Sequence, residues 1–378
     1  MNAINIEDLR RLARKRLPRA VFEFVDGGAQ DENTLRANRS DFERIRFVTR
    51  TLTDISVRDQ SVELFGRRYG APLVLAPTGL AGLLWRRGEL AAARAAHKVN
   101  VPYCLSTMAT CSIEEIAGIG SEPNWFQLYV LRDRGLTRQF IERARAANCS
   151  ALVLTVDTKM QGPRERDIRN GFTVPPRFTA ATILDFALHY RWLLDIALGP
   201  RITFRNFIGT SAQSKDAVTI TQFIAGQYDL TVSWRDVDWF KSEWGGPVLV
   251  KGILSPADAK LAVEHGLDGV IVSNHGGRQL DGAVSAIAAL PAVVEAVAGR
   301  VPVLLDGGVR RGADVVRALA LGASACMIGR AWLYGLAANG QNGVERALTI
   351  LRDEIDLALA LLGRPTIAEL DRTALAFW

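Results

Sequence analysis

The chain has 378 residues, 48% of them hydrophobic, with 46 basic against 40 acidic side chains and a formal charge of +6. That much apolar material fills one large domain or two modest ones and excludes a disordered chain. Its basic residues are scattered among acidic ones and form no block interleaved with aromatics, so the charge suits a small anionic substrate or an anionic membrane surface rather than nucleic acid.

Ile4 to Leu17 has the spacing of an amphipathic helix ended by Pro18, and Ala20 to Gly27 reads as a second short helix closed by Gly27-Gly28. Together they open an N-terminal cap over about residues 1–70. Met1 to Ala20 is charged and lacks the apolar run of a secretory leader, and Arg10-Arg11 reads as a solvated helix face. Then come eight short apolar runs: Leu73 to Ala76, Tyr103 to Ser106, Trp125 to Leu128, Leu152 to Thr155, Val248 to Lys251, Val270 to Ser273, Val303 to Asp306 and Cys326 to Gly329. Helix-period segments separate them, among them Glu89 to Lys98, Thr137 to Ala147, Pro256 to His265, Ala286 to Ala298 and Gly312 to Leu321. Strand and helix alternating in this way predict an α/β fold, a (β/α)₈ TIM barrel over about residues 71–338.

The fourth and fifth runs lie roughly ninety residues apart where about thirty suffice, so a long insertion follows strand four, at about residues 160–235. It contains Ile183 to Leu198, predicted as one helix that is apolar around most of its circumference and stops at Gly199-Pro200. Asp185, His189, Arg191 and Asp195 make it too short and too charged to cross a bilayer; it suits an interface, with packing on the barrel's own rim as the alternative. A helical C-terminal region covers about 341–378, whose last residues, Thr373 to Trp378, are expected to pack on a neighbour or stay loose. Cys104, Cys111, Cys149 and Cys326 have no paired metal spacing; no metal site and a reduced, cytoplasmic setting are expected.

In such a barrel chemistry sits at the strands' carboxyl ends. The sixth run ends in Ser273-Asn274-His275-Gly276-Gly277-Arg278-Gln279-Leu280-Asp281. There a titratable imidazole and a forked guanidinium three residues on can meet one small anion, which suits proton abstraction next to a carboxylate. After the seventh run come Asp306-Gly307-Gly308-Val309-Arg310-Arg311-Gly312, and the eighth ends in Gly329-Arg330. These two glycine-arginine turns stand where barrels hold a phosphate. Lys251, after four apolar residues and before Gly252, must point into the barrel mouth.

The stretch Ser273 to Asp281 resembles the signature of the FMN-dependent L-2-hydroxy acid oxidase and dehydrogenase family, and the resemblance runs from about Leu17 through the helical C-terminal region. It implies FMN as cofactor, with Pro77, Thr78, Gly79, Ser106, Gln127 and Thr155 lining the flavin ring. Lys251 would set positive charge near the ring's pyrimidine end, and Ser273, Asp306, Gly307, Gly308, Arg310, Gly329 and Arg330 would complete the cofactor site. It also implies His275 as base, Asp157 as the carboxylate orienting it, Tyr129 as a hydroxyl near the substrate oxygen, and Arg278 and Arg164 as the pair binding the substrate carboxylate. The family usually has a tyrosine where this chain has Phe24, and a lost hydrogen bond to a charged group costs on the order of 1.5–3 kcal/mol. With Met108 and Gln161 at variable positions of the pocket wall, Phe24 leaves the identity of the hydroxy acid open. Gly79, where oxidases commonly have alanine, and the apolar insertion favour a quinone or other acceptor over oxygen. The alternatives are an oxidase producing hydrogen peroxide and a flavin enzyme with an unusual substrate. Relatives are often homotetramers, and the insertion adds the inner face of the cytoplasmic membrane as an expected location.

Overall fold

The structure is a computed structural model that describes every residue except 1, 121, 174, 211–222, 224, 225 and 378. The eight apolar runs form strands β1 (Leu73–Leu75), β2 (Cys104–Ser106), β3 (Trp125–Tyr129), β4 (Ala151–Thr155), β5 (Val248–Ile253), β6 (Gly269–Ser273), β7 (Val303–Asp306) and β8 (Ala325–Ile328). All pair in parallel, in the spatial order β1-β8-β7-β6-β5-β4-β3-β2, and a parallel bridge between Leu75 and Tyr103 links the two ends of the series. These runs carry no polar alternation because both faces of each strand are covered. Val74, Cys104, Trp125, Val153, Leu249, Ile271, Leu304 and Met327, one from each strand, fill the barrel interior. A hairpin, Val62–Leu64 with Arg67–Tyr69, plugs the amino-terminal end with Leu64 and Tyr69. With one end filled and the interior packed, only the carboxyl end is left for polar side chains.

Three additions frame that end. The cap helices Ile6–Arg16 and Arg19–Asp26 pack beside the long C-terminal helix Arg330–Leu362, which bends at Asn339 and Gly340. Arg10 donates from Nε and Nη2 to the Asp26 carboxylate, which also accepts the Tyr334 hydroxyl at 2.7 Å, so cap and C-terminal helix share one partly buried ion-pair network.

The insertion departs from expectation. Ile183 to Leu198 is two helices, Ala180–Leu188 and Tyr190–Ala197, because the chain turns at His189 (φ −92, ψ 47), whose Nδ1 lies 2.7 Å from the Asp185 carbonyl. One side docks on the rim: Trp192 Nε1 donates to the Leu83 carbonyl at 2.7 Å, and Asp195 accepts from the Arg86 amide at 3.0 Å. The other side leaves Ile183, Leu184, Leu188, Leu194 and Leu198 more than half exposed. Part of the expected insertion, 211–222 with 224 and 225, lies outside the described residues.

The C-terminus also corrects the sequence reading. Leu375–Phe377 pairs antiparallel with Ile45–Phe47 of the same chain, so this segment is not loose; Trp378 lies outside the described residues.

Candidate active site

The loop after β6 is held in an unusual backbone conformation. His275, Gly276 and Gly277 have φ of 57, 65 and 73, a left-handed run that costs the histidine roughly 1–2 kcal/mol. The neighbouring residues hold it there. Asn274 and Asn38 exchange side-chain hydrogen bonds at 2.8 and 2.9 Å, Asn274 Oδ1 also accepts from the Gly277 amide, and the Asp281 carboxylate accepts from Asn33 and the Thr34 amide. A Cβ on Gly277 would come within 2.6 Å of the Leu35 amide nitrogen, so the cap is seated directly on this loop. Asn274 and Asp281 thus turn out to be fasteners, a role the motif alone did not disclose.

His275 Nδ1 lies 3.0 Å from Asp157 Oδ1, leaving Nε2 for other work. Burial raises the Asp157 carboxyl, but the charge and hydrogen bond of His275 and the charge of Lys251 outweigh it and hold the group below the usual carboxylate range. Lys251 is 3% exposed; its Nζ pairs with Asp306 Oδ2 at 2.7 Å and donates to Ser273 Oγ at 2.9 Å. Burial alone would lower its pKa, yet Asp306 and Asp157 hold it above the ordinary lysine value.

Arg278 is anchored by Nη1 to the carbonyls of Phe24 and Gly27 at 2.8 and 3.0 Å. Among the described residues it has no carboxylate at ion-pair distance, and burial with the like charges of Arg164 and Arg330 pushes its pKa down. A desolvated cation in that state favours an anion beside it. The Phe24 ring lies under both guanidinium groups, 5.3 Å from Arg278 and 5.7 Å from Arg164. Arg164, which could have been a solvated charge, therefore does face the site. Tyr129 joins the two halves: burial raises its hydroxyl, Asp157 adds to the rise, and Arg164 and Arg278 oppose it.

Tyr228 and Phe172, both from the insertion, were not legible as site residues. Tyr228 packs edge-on against Tyr129 at 5.8 Å, and Phe172 lies 5.1 Å from Phe24. Neither falls in a periodic segment, so only tertiary packing could bring them here. Gln161 is exposed and lies within 3.4 Å of Arg164, while Met108 packs over Gly79, where a Cβ would meet the Met108 Cβ at 3.0 Å.

The pattern of FMN-dependent dehydrogenases matches residues 13–377. The chain belongs to the FMN-dependent dehydrogenase family. It is 44% identical over 367 residues to the L-lactate dehydrogenase of Alcaligenes faecalis, covering 96% of each chain. The L-lactate dehydrogenase of Caulobacter vibrioides is 45% identical over 370 residues, 98% of this chain and 96% of that one. Among solved structures, the monotopic membrane protein (S)-mandelate dehydrogenase superposes with a TM-score of 0.96 at 42% identity, covering 100% of both chains. A mandelate oxidase solved with (S)-2-phenylpropionate gives 0.83 at 37%, covering 100% of this chain and 99% of the other.

FMN is thus the cofactor of this dehydrogenase, and the barrel mouth fits it. Gln127 Oε1 accepts from Ser106 Oγ at 3.0 Å, which fixes the amide and leaves Nε2 buried without a partner. Thr78 Oγ1 and Thr155 Oγ1 are likewise buried, and none of these three atoms has a hydrogen-bond partner among the described residues. Such atoms carry a desolvation cost unless a ligand satisfies them, and a heterocycle rimmed with donors and acceptors does so. A Cβ on Gly329 would meet only Ala76, at 3.9 Å, so the start of the Arg330–Leu362 helix borders open space, as a phosphate cradle requires. Gly307 and Gly308 have φ of 124 and 80. The Arg330 guanidinium, in contrast, is spent on the carbonyls of Val25, Gly27 and Gly276. Arg310 donates to the Val309 carbonyl and lies 5.5 Å from the Tyr334 ring.

Proposed function

We propose that this FMN-dependent dehydrogenase oxidises an L-2-hydroxy acid, lactate- or mandelate-like, to the 2-oxo acid. The observation that carries the reading is the pairing of a carboxylate-oriented histidine, His275 with Asp157, with a buried guanidinium, Arg278, that has no carboxylate at ion-pair distance among the described residues. The curated relatives named for L-lactate and the structural neighbour named for (S)-mandelate support the same class.

When bound, FMN supplies the acceptor for the electron pair leaving the substrate. Arg278 and Arg164 hold the substrate carboxylate, with the Phe24 ring as a spacer between them. The Tyr129 hydroxyl, kept neutral by its surroundings, bonds to the substrate oxygen. His275 takes the substrate proton at Nε2, and Asp157 stabilises the imidazolium that results. Lys251 fixes positive charge at the strand ends, held by Asp306 and Ser273. Thr78, Ser106, Gln127 and Thr155 would hold the FMN ring, and Asp306, Gly307, Gly308, Arg310, Gly329 and Arg330 would hold its ribityl phosphate.

The acceptor is a membrane quinone or another non-oxygen oxidant. Gly79 and the outward apolar side of the insertion support this, as does the resemblance to a monotopic dehydrogenase. Among the described residues no helix is long and apolar enough to cross a membrane. The outward apolar side of the insertion supports peripheral contact, on the inner face of the cytoplasmic membrane, and the family resemblance supports assembly as a homotetramer. Sedimentation with anionic vesicles, abolished in Leu184→Glu/Leu188→Glu, checks the first; light scattering checks the second.

Anaerobic mixing of the FMN-loaded protein with L-lactate, L-mandelate, glycolate and longer 2-hydroxy acids tests the reaction through loss of flavin absorbance. Rapid bleaching by an L-acid, slowed by orders of magnitude in His275→Gln with FMN retained, is expected. No bleaching by any of them overturns the reading, and reoxidation faster with oxygen than with a soluble quinone overturns the assignment of acceptor.

A further inference from the structure

We propose that Asp167 is a positioning residue for the substrate clamp, holding Arg164 over Phe24 so that its guanidinium meets the substrate carboxylate; this rests on reading Arg164 and Arg278 as that clamp. Asp167 follows Arg164 by three residues, on the short helix Glu165–Arg169, and is 8% exposed. Its Oδ2 lies 3.5 Å from Arg164 Nε, so the pair engages the inner nitrogen rather than the outer fork. Among the described residues it is the carboxylate paired with Arg164. The rest of Arg164's surroundings restrain it weakly: Gln161 Oε1 at 3.4 Å from Nη2, and the Phe24 face. A quarter of the Arg164 side chain is exposed, and a long side chain without its buried partner gains rotamers directed at water.

Asp167 also organises the wall behind the clamp. Its carbonyl accepts from the Phe172 amide at 2.8 Å, and the Phe172 ring packs on Phe24. The charged groups facing its carboxylate are Arg164 from its own segment, Arg278 from the loop after β6 and Glu23 from the helix Arg19–Asp26. Burial raises the carboxyl, the two arginines oppose the rise, Glu23 adds to it, and the net direction is above the ordinary aspartate range. The pairing is therefore complete above that raised pKa and is lost as pH falls through it, at a higher pH than an ordinary aspartate would give.

The test compares wild type with Asp167→Asn, both FMN-loaded, by oxalate binding read from the flavin spectrum and by steady-state kinetics with the best L-2-hydroxy acid. An increase of about five- to tenfold in oxalate Kd and in KM, with kcat within about twofold, is expected for a lost positioning contact. The informative quantity is the ratio of the two oxalate dissociation constants, which cancels pH effects common to both proteins and should fall towards one as pH is lowered. Asp167→Glu, which keeps the charge, should restore most of the affinity and the acid limb, and serves if the asparagine variant loses FMN. A ratio near one at neutral pH, tighter oxalate binding in the asparagine variant, or a ratio independent of pH overturns the proposal. Wild type that binds oxalate but is not bleached by any hydroxy acid refutes the substrate reading instead.

Discussion

Replacing Asp157 with asparagine removes the charge facing His275 while keeping the shape of the side chain. The bond concerned is 3.0 Å long, and the two side chains are 13% and 25% exposed, so solvent screens it only in part. A hydrogen bond to a charged group is worth on the order of 1.5–3 kcal/mol. If the imidazolium exists only as the proton is transferred, that sum is lost from the transition state and not from substrate binding. At about 1.4 kcal/mol per factor of ten, the anaerobic rate of flavin reduction should fall about 10- to 150-fold. An asparagine amide can also donate to Nδ1 and hold the ring in the wrong tautomer, which adds to the loss. Stopped-flow absorbance with a protonated and a 2-deuterated substrate is the assay. KM should change little, FMN should stay bound, and the isotope effect should persist or grow. A reduction rate within about threefold of wild type would falsify the assignment of Asp157 as the partner of the base.

Three further outcomes follow from the geometry. Phe24→Tyr places a hydroxyl between Arg278 and Arg164; it should lower KM for 2-hydroxy acids about tenfold or more with kcat little changed, and an unchanged KM would mean that the clamp does not meet the carboxylate there. Asp26→Asn removes the negative charge that Arg10 and Tyr334 share and replaces one carboxylate oxygen with an amide donor. Arg10 is more than a third exposed, so the loss is discounted to about 2 kcal/mol, read as a lower urea midpoint at pH 7. Burial raises the Asp26 carboxyl, but hydrogen bonds from Arg10 and Tyr334 outweigh it and hold the folded-state pKa below the usual range. Its stabilising contribution is therefore full above the unfolded carboxylate pKa of about 4 and lost as pH falls through the depressed folded value, so the gap between variant and wild type should close in acid. Gly277→Ala forces a Cβ to 2.6 Å from the Leu35 amide nitrogen at a φ of 73. It should cost about 2 kcal/mol or more and displace His275 and Arg278; thermal unfolding equal to wild type would refute the close seating of cap on loop.

The sequence by itself determined the barrel and much of its working end. Strands covered on both faces read as unbroken apolar runs, and their carboxyl ends carry the polar residues, so Lys251, Ser273, His275 and Asp306 could be placed at the mouth from the order of residues alone. What period and spacing could not decide were contacts between segments distant in the chain. Thus Asp157 and His275, 118 residues apart, meet only because β4 and β6 flank β5, and Arg164 could be separated from a solvated charge only by seeing the Phe24 ring beneath it. The insertion was the least legible part: its apolar residues are consistent with one helix, whereas the chain turns at His189 and docks on the rim through Trp192 and Asp195. Tyr228 and Phe172 carry no local signal, since an aromatic residue in an irregular segment becomes a pocket wall only through what packs beside it. Local pattern specifies elements and the end of the barrel where chemistry belongs; which side chains share that space is decided by long-range packing.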